Sequence, residues 1–287
     1  MNVALIGTGL MGFPMAEKLL EAGFSTTVFN RTREKAEPLK ALGANIAETP
    51  SEATRSAEVV ILMLTDYRAI EETLFSAAEP VDFSNRTIIQ MGTILPEESL
   101  NLSEKVRQGG GAYLEAPVLG SIPNVKGKQL LVMVGASEEQ FHAYEKIFRT
   151  FGSNIYWIGE VGKAAVVKLA LNHLIASLTA GFALSLGVVQ ENDVDVDIFM
   201  SVLRHSALYA PTFDKKLSQM LERNFAGANF PLKHLQKDVD LVHTLARNAG
   251  LNTIGLQALR EIFVRAVKEG FADADYSALY NAVYPKK

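Results

Sequence analysis

The chain has 287 residues, more than one hydrophobic core usually organises, so two domains are expected. A hydrophobic content of 48% with 21% charged residues describes a globular chain and excludes a disordered one. The net charge of -4, with Lys and Arg scattered, offers no basic field for nucleic acid, and the absence of cysteine excludes disulfides, thiolate metal sites and a cysteine nucleophile, which suits a reducing cytoplasm.

Val3 to Ile6 is a short apolar, β-rich run of the kind buried on both faces of a parallel sheet. No Lys or Arg precedes it and it stops at Gly7, so it reads as a strand and not as a signal peptide. Gly7-Thr8-Gly9-Leu10-Met11-Gly12 comes next, then Met15, Leu19 and Leu20 at helical spacing, a stop at Gly23, and a second strand at Thr26 to Phe29. Strand, glycine turn, helix and strand in that order form the context in which GxGxxG binds a dinucleotide. Gly7 permits the tight turn, Gly9 lets a pyrophosphate reach the backbone, Gly12 lets helix and strand pack closely, and the helix N-terminus favours the anion. Three glycines serving a tight turn without a ligand is the plainer alternative.

The segment after the second strand selects between the two nicotinamide dinucleotides. An NAD site usually places a carboxylate there for the ribose 2′-hydroxyl. This chain has Asn30-Arg31-Thr32-Arg33-Glu34-Lys35 instead. Arg31 can stack on adenine and pair with a 2′-phosphate, Thr32 can donate a hydroxyl and Lys35 adds charge, which favours NADP over a merely solvated helix start. Glu34 is placed to meet a helix N-terminus.

A helix is predicted over 35–42, a short segment over 44–47, a helix from Ser51, a strand over 59–64, a helix over 69–75 and a strand over 87–91. This alternation predicts a doubly wound parallel sheet with its ligand at the carboxyl ends of the strands. Leu64-Thr65-Asp66 and Gly92-Thr93 follow two such ends. Thr93 either touches nicotinamide or substrate, or caps the helix that begins at Pro96. Tyr113 to Val118 reads as a strand running into the loop Leu119 to Asn124, where the small residues Gly120 and Ser121 leave backbone N–H groups open for a carboxylate. A strand over 130–134, a helix over 141–148 and a strand over 156–158 complete the domain.

From Ala164 to about Gln190 runs one apolar helix pattern, long enough to suggest a membrane span. Lys168, Asn172 and His173 interrupt its first half and Gly181 and Gly187 its second, so it is expected to be a buried helix joining two domains, 1–162 and 163–287. Lys168 and Asn172 are four apart and share a helix face, so their polar ends converge. Flanked by Val166, Val167, Leu169, Ala170 and Leu171, the Lys168 ammonium is disfavoured by desolvation and suits proton donation to a carbonyl, unless its methylenes run along apolar surface to water. Helices are predicted over 197–203, 213–221, 232–249 and 255–269. In the third, Asp238 lies at the edge of the stripe Leu232, Leu235, Val239 and Val242, and either enters a cleft or joins a solvated charged face. The five histidines have no metal-ligand spacing, and no metal is predicted; His173 reads as a core residue.

The segments Leu5 to Ala16, Glu115-Ala116-Pro117-Val118, Gly162 to Asn172 and Lys237-Asp238 resemble, in order and spacing, the β-hydroxyacid dehydrogenases, and most nearly their glyoxylate and succinic semialdehyde reductases. The resemblance implies an α/β fold, a Rossmann-type domain followed by an all-helical one, and NADPH-dependent reduction of a small aldehyde acid. It implies Lys168 as proton donor with Asn172 orienting it, and cofactor contacts from Gly7, Gly9, Leu10, Met11, Gly12, Asn30, Arg31, Thr32, Lys35, Leu64, Thr93 and Lys237. It further implies substrate contacts from Thr93, Leu119, Gly120, Ser121, Lys168, Phe230 and Asp238, and association as a homodimer or homotetramer without membrane or nucleic acid. Leu119 stands where the family commonly has serine, and Met91-Gly92 where it has acidic and serine residues. Relatives of this fold that reduce imines generally lack the lysine, and a non-catalytic NADP-binding module would not need it; Lys168 speaks against both.

Overall fold

The computed structural model describes residues 1–76 and 79–285, and the chain divides into two compact units, Met1–Lys168 and Leu169–Lys287. The first is built on one sheet of nine strands: β1 (Asn2–Ile6), β2 (Ser25–Phe29), β3 (Asn45–Ile46), β4 (Val59–Leu62), β5 (Thr87–Gln90), β6 (Ala112–Glu115), β7 (Val118–Leu119), β8 (Leu131–Gly135) and β9 (Asn154–Gly159). The order is β3-β2-β1-β4-β5-β6-β8-β7, with β9 also on β8. Pairing is parallel from β3 to β6, as the alternation predicts. Beyond that the sheet is mixed, because β8 runs antiparallel to β6 and β7 and parallel to β9. The connection fits this: the chain continues from β6 into β7 and returns through a five-residue helix to pair antiparallel with it, with no long helix to carry it across a sheet face.

Six helices flank these strands: α1 (Gly12–Glu21), α2 (Pro50–Arg55), α3 (Tyr67–Leu74), α4 (Pro96–Gln108), α5 (Ile122–Lys126) and α6 (Glu138–Phe151). Strand residues alternate between two cores, as the period of two requires. Val3, Leu5, Val59, Ile61 and Val28 pack with Met15 and Leu19 of α1 and Ile147, Phe148 and Phe151 of α6. Ala4, Ile6, Val60, Leu62 and Ile88 pack with Ala53, Ile70, Leu74, Leu102 and Val106 from α2, α3 and α4. The helix expected over 35–42 is instead two 3₁₀ turns, Arg33–Lys35 and Glu37–Leu42. Pro38 has no N–H to close an α-turn and its ring opposes the carbonyl of residue 34, which splits the segment. At the sheet edge, half-exposed Trp157 of β9 donates its indole N–H to the Ala136 carbonyl at 2.9 Å.

Helix α7 (Lys163–Glu191) begins in the first unit and continues into the second. Its length and composition alone would let it cross a bilayer, although it carries buried Lys168, Asn172 and Thr179. Leu174, Leu178, Leu184 and Val188 share one exposed face of it. The second unit adds α8 (Val196–Arg204), α9 (Pro211–Glu222), α10 (Leu232–Asn248), α11 (Ile254–Ala266), which runs into a π-turn at 267–271, and α12 (Leu279–Val283). Leu232, Leu235 and Val239 of α10, Leu259 and Phe263 of α11 and Leu279 of α12 are buried. Phe182 of α7 stacks on Phe213 of α9 with centroids 4.7 Å apart. Buried Asp275 accepts from Lys216 Nζ at 2.8 Å and from the Ser277 hydroxyl, which ties α9 to the turn before α12.

Candidate active site

The glycine turn leaves the sheet where strand order reverses, with β2 on one side of β1 and β4 on the other. Open α/β sheets bind ligands at that point, outside the carboxyl ends of the strands. Gly7 takes φ +101°, and a Cβ there would lie 2.4 Å from the Met63 carbonyl oxygen, so only glycine fits. A Cβ on Gly12 would lie 1.8 Å from the Gly7 carbonyl oxygen, the close packing of helix on turn expected of the third glycine. Gly9 differs, because a Cβ there would meet no atom of the described residues within 4 Å. Leu10 is exposed, Met11 is half-buried at the N-cap of α1, and half-buried Leu64 follows β4.

Asn30 fastens this turn to the end of β2. Its Oδ1 accepts from the Thr8 N–H at 3.0 Å and its Nδ2 donates to the Thr32 carbonyl at 2.9 Å. Arg31, Thr32 and Lys35 are exposed beside it, whereas Arg33 is engaged by the carboxylates of Glu37 and Glu48. Thr93 is half-buried past β5, two residues before Leu95, which occupies the N-cap position of α4. A Cβ on Gly92 would lie 2.6 Å from the Leu64 carbonyl oxygen, which brings the ends of β4 and β5 together.

Half-buried Leu119 belongs to β7 and pairs with Leu131. Gly120 has φ +140°, and Ser121 is the N-cap of α5. The Ser121 backbone N–H donates to Asn124 Oδ1 at 2.9 Å, and its hydroxyl reaches the same oxygen at 3.1 Å. The open N–H group expected at Ser121 is therefore occupied: a side chain three residues on reaches back to it.

On α7, Lys168 is 8% exposed and Asn172, one turn later, 1%. Within the helical unit Asn172 Nδ2 donates to Asp238 Oδ2 at 2.6 Å. Asp238 is 3% exposed, so it is not part of a solvated face. Its Oδ1 lies 2.9 Å from Lys237 Nζ, in a direction poorly aligned for hydrogen bonding, and has no other partner among the described residues. Burial first, then the ammonium groups of Lys233 and Lys237, hold the His234 imidazole below the ordinary histidine range. Phe230 packs edge-on against Tyr276 with centroids 5.8 Å apart.

Residues 2–159 match the family model for the NAD binding domain of 6-phosphogluconate dehydrogenase, and residues 162–283 that for the NAD-binding of NADP-dependent 3-hydroxyisobutyrate dehydrogenase. The chain belongs to the 3-hydroxyisobutyrate dehydrogenase family. It is 30% identical to glyoxylate/succinic semialdehyde reductase 2, chloroplastic, of Arabidopsis thaliana, over 100% of this chain and 80% of that one. To glyoxylate/succinic semialdehyde reductase 1 of the same plant it is also 30% identical, over 99% and 98%. The fold is that of 3-hydroxyisobutyrate dehydrogenase from Salmonella typhimurium, with a TM-score of 0.87 at 20% identity over 98% of this chain and 99% of that one.

The chain is accordingly an NAD(P)-dependent oxidoreductase of the 3-hydroxyisobutyrate dehydrogenase family, and its first unit fits the dinucleotide. No described residue fills the space a Gly9 side chain would take, as a group approaching from outside requires. Two buried polar atoms near the strand ends, Thr8 Oγ1 and Gln90 Oε1, have no protein partner among the described residues, which suits a polar ligand there. Two features escaped the sequence: the Asn172 and Asp238 pair, and the buried Glu115 carboxylate, which accepts from the Gly162 and Ala165 N–H groups. The second had a signal, a carboxylate inside the otherwise apolar run Tyr113 to Val118.

Proposed function

We propose that the chain is an NADPH-dependent reductase of small aldehyde acids, of the glyoxylate and succinic semialdehyde class, with Lys168 as the proton donor. The observation that carries this reading is the buried Lys168 amine on α7, four residues before an Asn172 that is itself held by Asp238. A buried amine set beside a substrate carbonyl can supply the proton that its reduction requires. Asp238 fixes the Asn172 amide through its N–H group, and the Asn172 carbonyl oxygen is assigned to orient the amine. When bound, the nicotinamide supplies the hydride that the aldehyde carbon receives. Lys168 gives its proton to the oxygen, leaving a hydroxy acid and a neutral amine that is reprotonated from solvent. Thr93, Leu119, Gly120 and Ser121 are assigned to the substrate in the first unit, and Phe230 and Asp238 in the second. Support for the substrate class comes from the two plant reductases, matched over nearly the whole chain.

The preference for NADPH is proposed from Arg31, which stands at the end of β2 where an NAD site places a carboxylate, with Thr32 and Lys35 beside it. Lys237 is assigned to the cofactor as well. Association as a homodimer or homotetramer is proposed from the exposed apolar face of α7, which a second copy would cover, and a cytoplasmic location from a composition without cysteine. Neither membrane nor nucleic acid is a proposed partner. The test is an NADPH-consumption screen over aldehydes of increasing length, with and without a terminal carboxylate. On the best substrate Lys168→Ala should lose about 10³-fold or more in kcat while NADPH still binds. Near-normal turnover of that variant would refute the assignment.

A further inference from the structure

We infer that Glu115 is a positioning residue: its buried carboxylate anchors the first turn of α7 to the end of β6 and thereby sets where Lys168 stands. The assignment rests on Lys168 being the proton donor.

Glu115 is 1% exposed and ends β6. Its Oε1 accepts from the Gly162 N–H at 2.9 Å and from the Ala165 N–H at 3.0 Å. These are groups that a helix start leaves without intrahelical partners. Usually the capping side chain belongs to the same segment; here it comes from 47 and 50 positions earlier, on a strand at the centre of the sheet. The Ser99 hydroxyl of α4 donates to Oε2, and Ser99 and the Tyr113 phenol hydrogen-bond at 2.9 Å. Burial pushes the phenol well above its ordinary range, so Tyr113 stays protonated and donates to Ser99. Both carboxylate oxygens are thus fixed by partners on either side.

The surroundings are shaped to this side chain. A Cβ on Gly135, the β8 residue that pairs with Glu115, would lie 2.6 Å from Oε1 and 2.7 Å from Cγ. Any other residue there would displace the carboxylate. Gly162 takes φ +95°, a conformation that favours glycine, where the chain enters α7. Lys168 follows Ala165 by three residues, about 4.5 Å along the helix axis, so the clamp acts within one turn of the amine. A slip or rotation of that first turn would carry Lys168 with it. Among the described residues, backbone N–H groups and a hydroxyl hold this carboxylate, which suits a geometric role.

Four variants separate geometry from charge, with succinic semialdehyde as the probe. Glu115→Gln keeps the reach and an accepting oxygen but removes the charge. Glu115→Asp keeps the charge and shortens the reach by one methylene. Glu115→Ala removes both, and Lys168→Ala is the reference. In Glu115→Ala and Glu115→Asp, hydrogen exchange at the Gly162 and Ala165 amides should rise about tenfold or more. In the same two variants kcat should fall about 100-fold, as for a misplacement of 1 Å, with KM and the NADPH Kd each within about threefold of wild type. Glu115→Gln should restore protection and most of kcat. Unchanged exchange in Glu115→Ala overturns the anchor, and that arm needs no turnover. Wild-type kcat in Glu115→Asp, or a Glu115→Gln variant as impaired as Glu115→Ala, overturns positioning by geometry; an equal loss of NADPH binding makes the role merely structural and also overturns it. Near-normal turnover of Lys168→Ala sinks the proton donor and the positional consequence with it, whereas a normal loss there beside an unaffected Glu115→Ala sinks only the assignment of Glu115.

Discussion

Gly9→Ala separates what the glycine turn does for the fold from what it does for the cofactor. Among the described residues no atom lies within 4 Å of the added Cβ, and the backbone is outside the left-handed region, so the methyl neither clashes nor strains the chain. Replacing glycine at a compatible position stabilises by about 0.4–1 kcal/mol through the unfolded state, which for this size of domain is a Tm rise of about 1–4 °C. The same methyl occupies the space a pyrophosphate needs. Losing one or two backbone N–H contacts to a phosphate, at about 1.5–3 kcal/mol each, costs about 3 kcal/mol and hence about 100-fold or more in NADPH affinity. Calorimetry of the apo protein gives the first number and nicotinamide fluorescence titration the second. Gly12→Ala is the contrasting case. Its Cβ would sit 1.8 Å from the Gly7 carbonyl oxygen, where an ordinary contact is about 3.3 Å, so stability and binding should fall together. A Gly9→Ala protein whose Tm drops while its NADPH Kd is unchanged would refute the reasoning, because the glycine would then serve the turn alone.

Arg31→Asp should weaken NADPH at least about tenfold and leave NADH within about threefold, measured as Kd; an unchanged preference rejects the NADP assignment. Leu119→Ser removes a half-buried side chain from β7 and adds a hydroxyl, so KM for short aldehyde acids should shift about tenfold while the NADPH Kd holds; an unmoved KM removes position 119 from the substrate contacts. Burial, partly offset by Ser99 and the N–H groups of Ala165, Gly162 and Ala164, raises the Glu115 carboxyl above its ordinary range. The folded state then keeps a proton that the unfolded chain releases, so this contribution is complete below the unfolded pKa of about 4.3 and lost as pH rises through the folded value. Urea midpoints from pH 4 to 8 should show wild type losing ground to Glu115→Gln as pH rises, and the opposite trend would contradict the sign.

Much of the first unit is legible because its strands are continuous apolar runs bounded by glycine or polar turns, and Val3 to Ile6, Val59 to Leu62 and Thr87 to Gln90 all lie parallel as the alternation predicts. The glycine turn is legible for a stronger reason, since both Gly7 and Gly12 meet backbone that excludes a side chain. Periodicity says less where one residue overrides it: Pro38 divides a helical pattern into two 3₁₀ turns, and α5 is only five residues long. Contacts distant in sequence leave no local mark. Asn172 and Asp238 stand 66 positions apart, and the apolar stripe around Asp238 fits a rim residue as well as a buried one. Asn124 reaching back to Ser121 is local, yet its amide oxygen takes up the Ser121 N–H that the small residues lead one to expect open.

Because Trp157 is the chain's single tryptophan and lies on β9, indole emission is a private signal of the nucleotide-binding unit, with nothing contributed by the helices beyond Lys168. Its hydrogen bond to Ala136 couples that colour to the turn between β8 and α6. Followed beside far-ultraviolet dichroism, which the helices dominate, the emission would tell whether the two halves melt as one body or in succession.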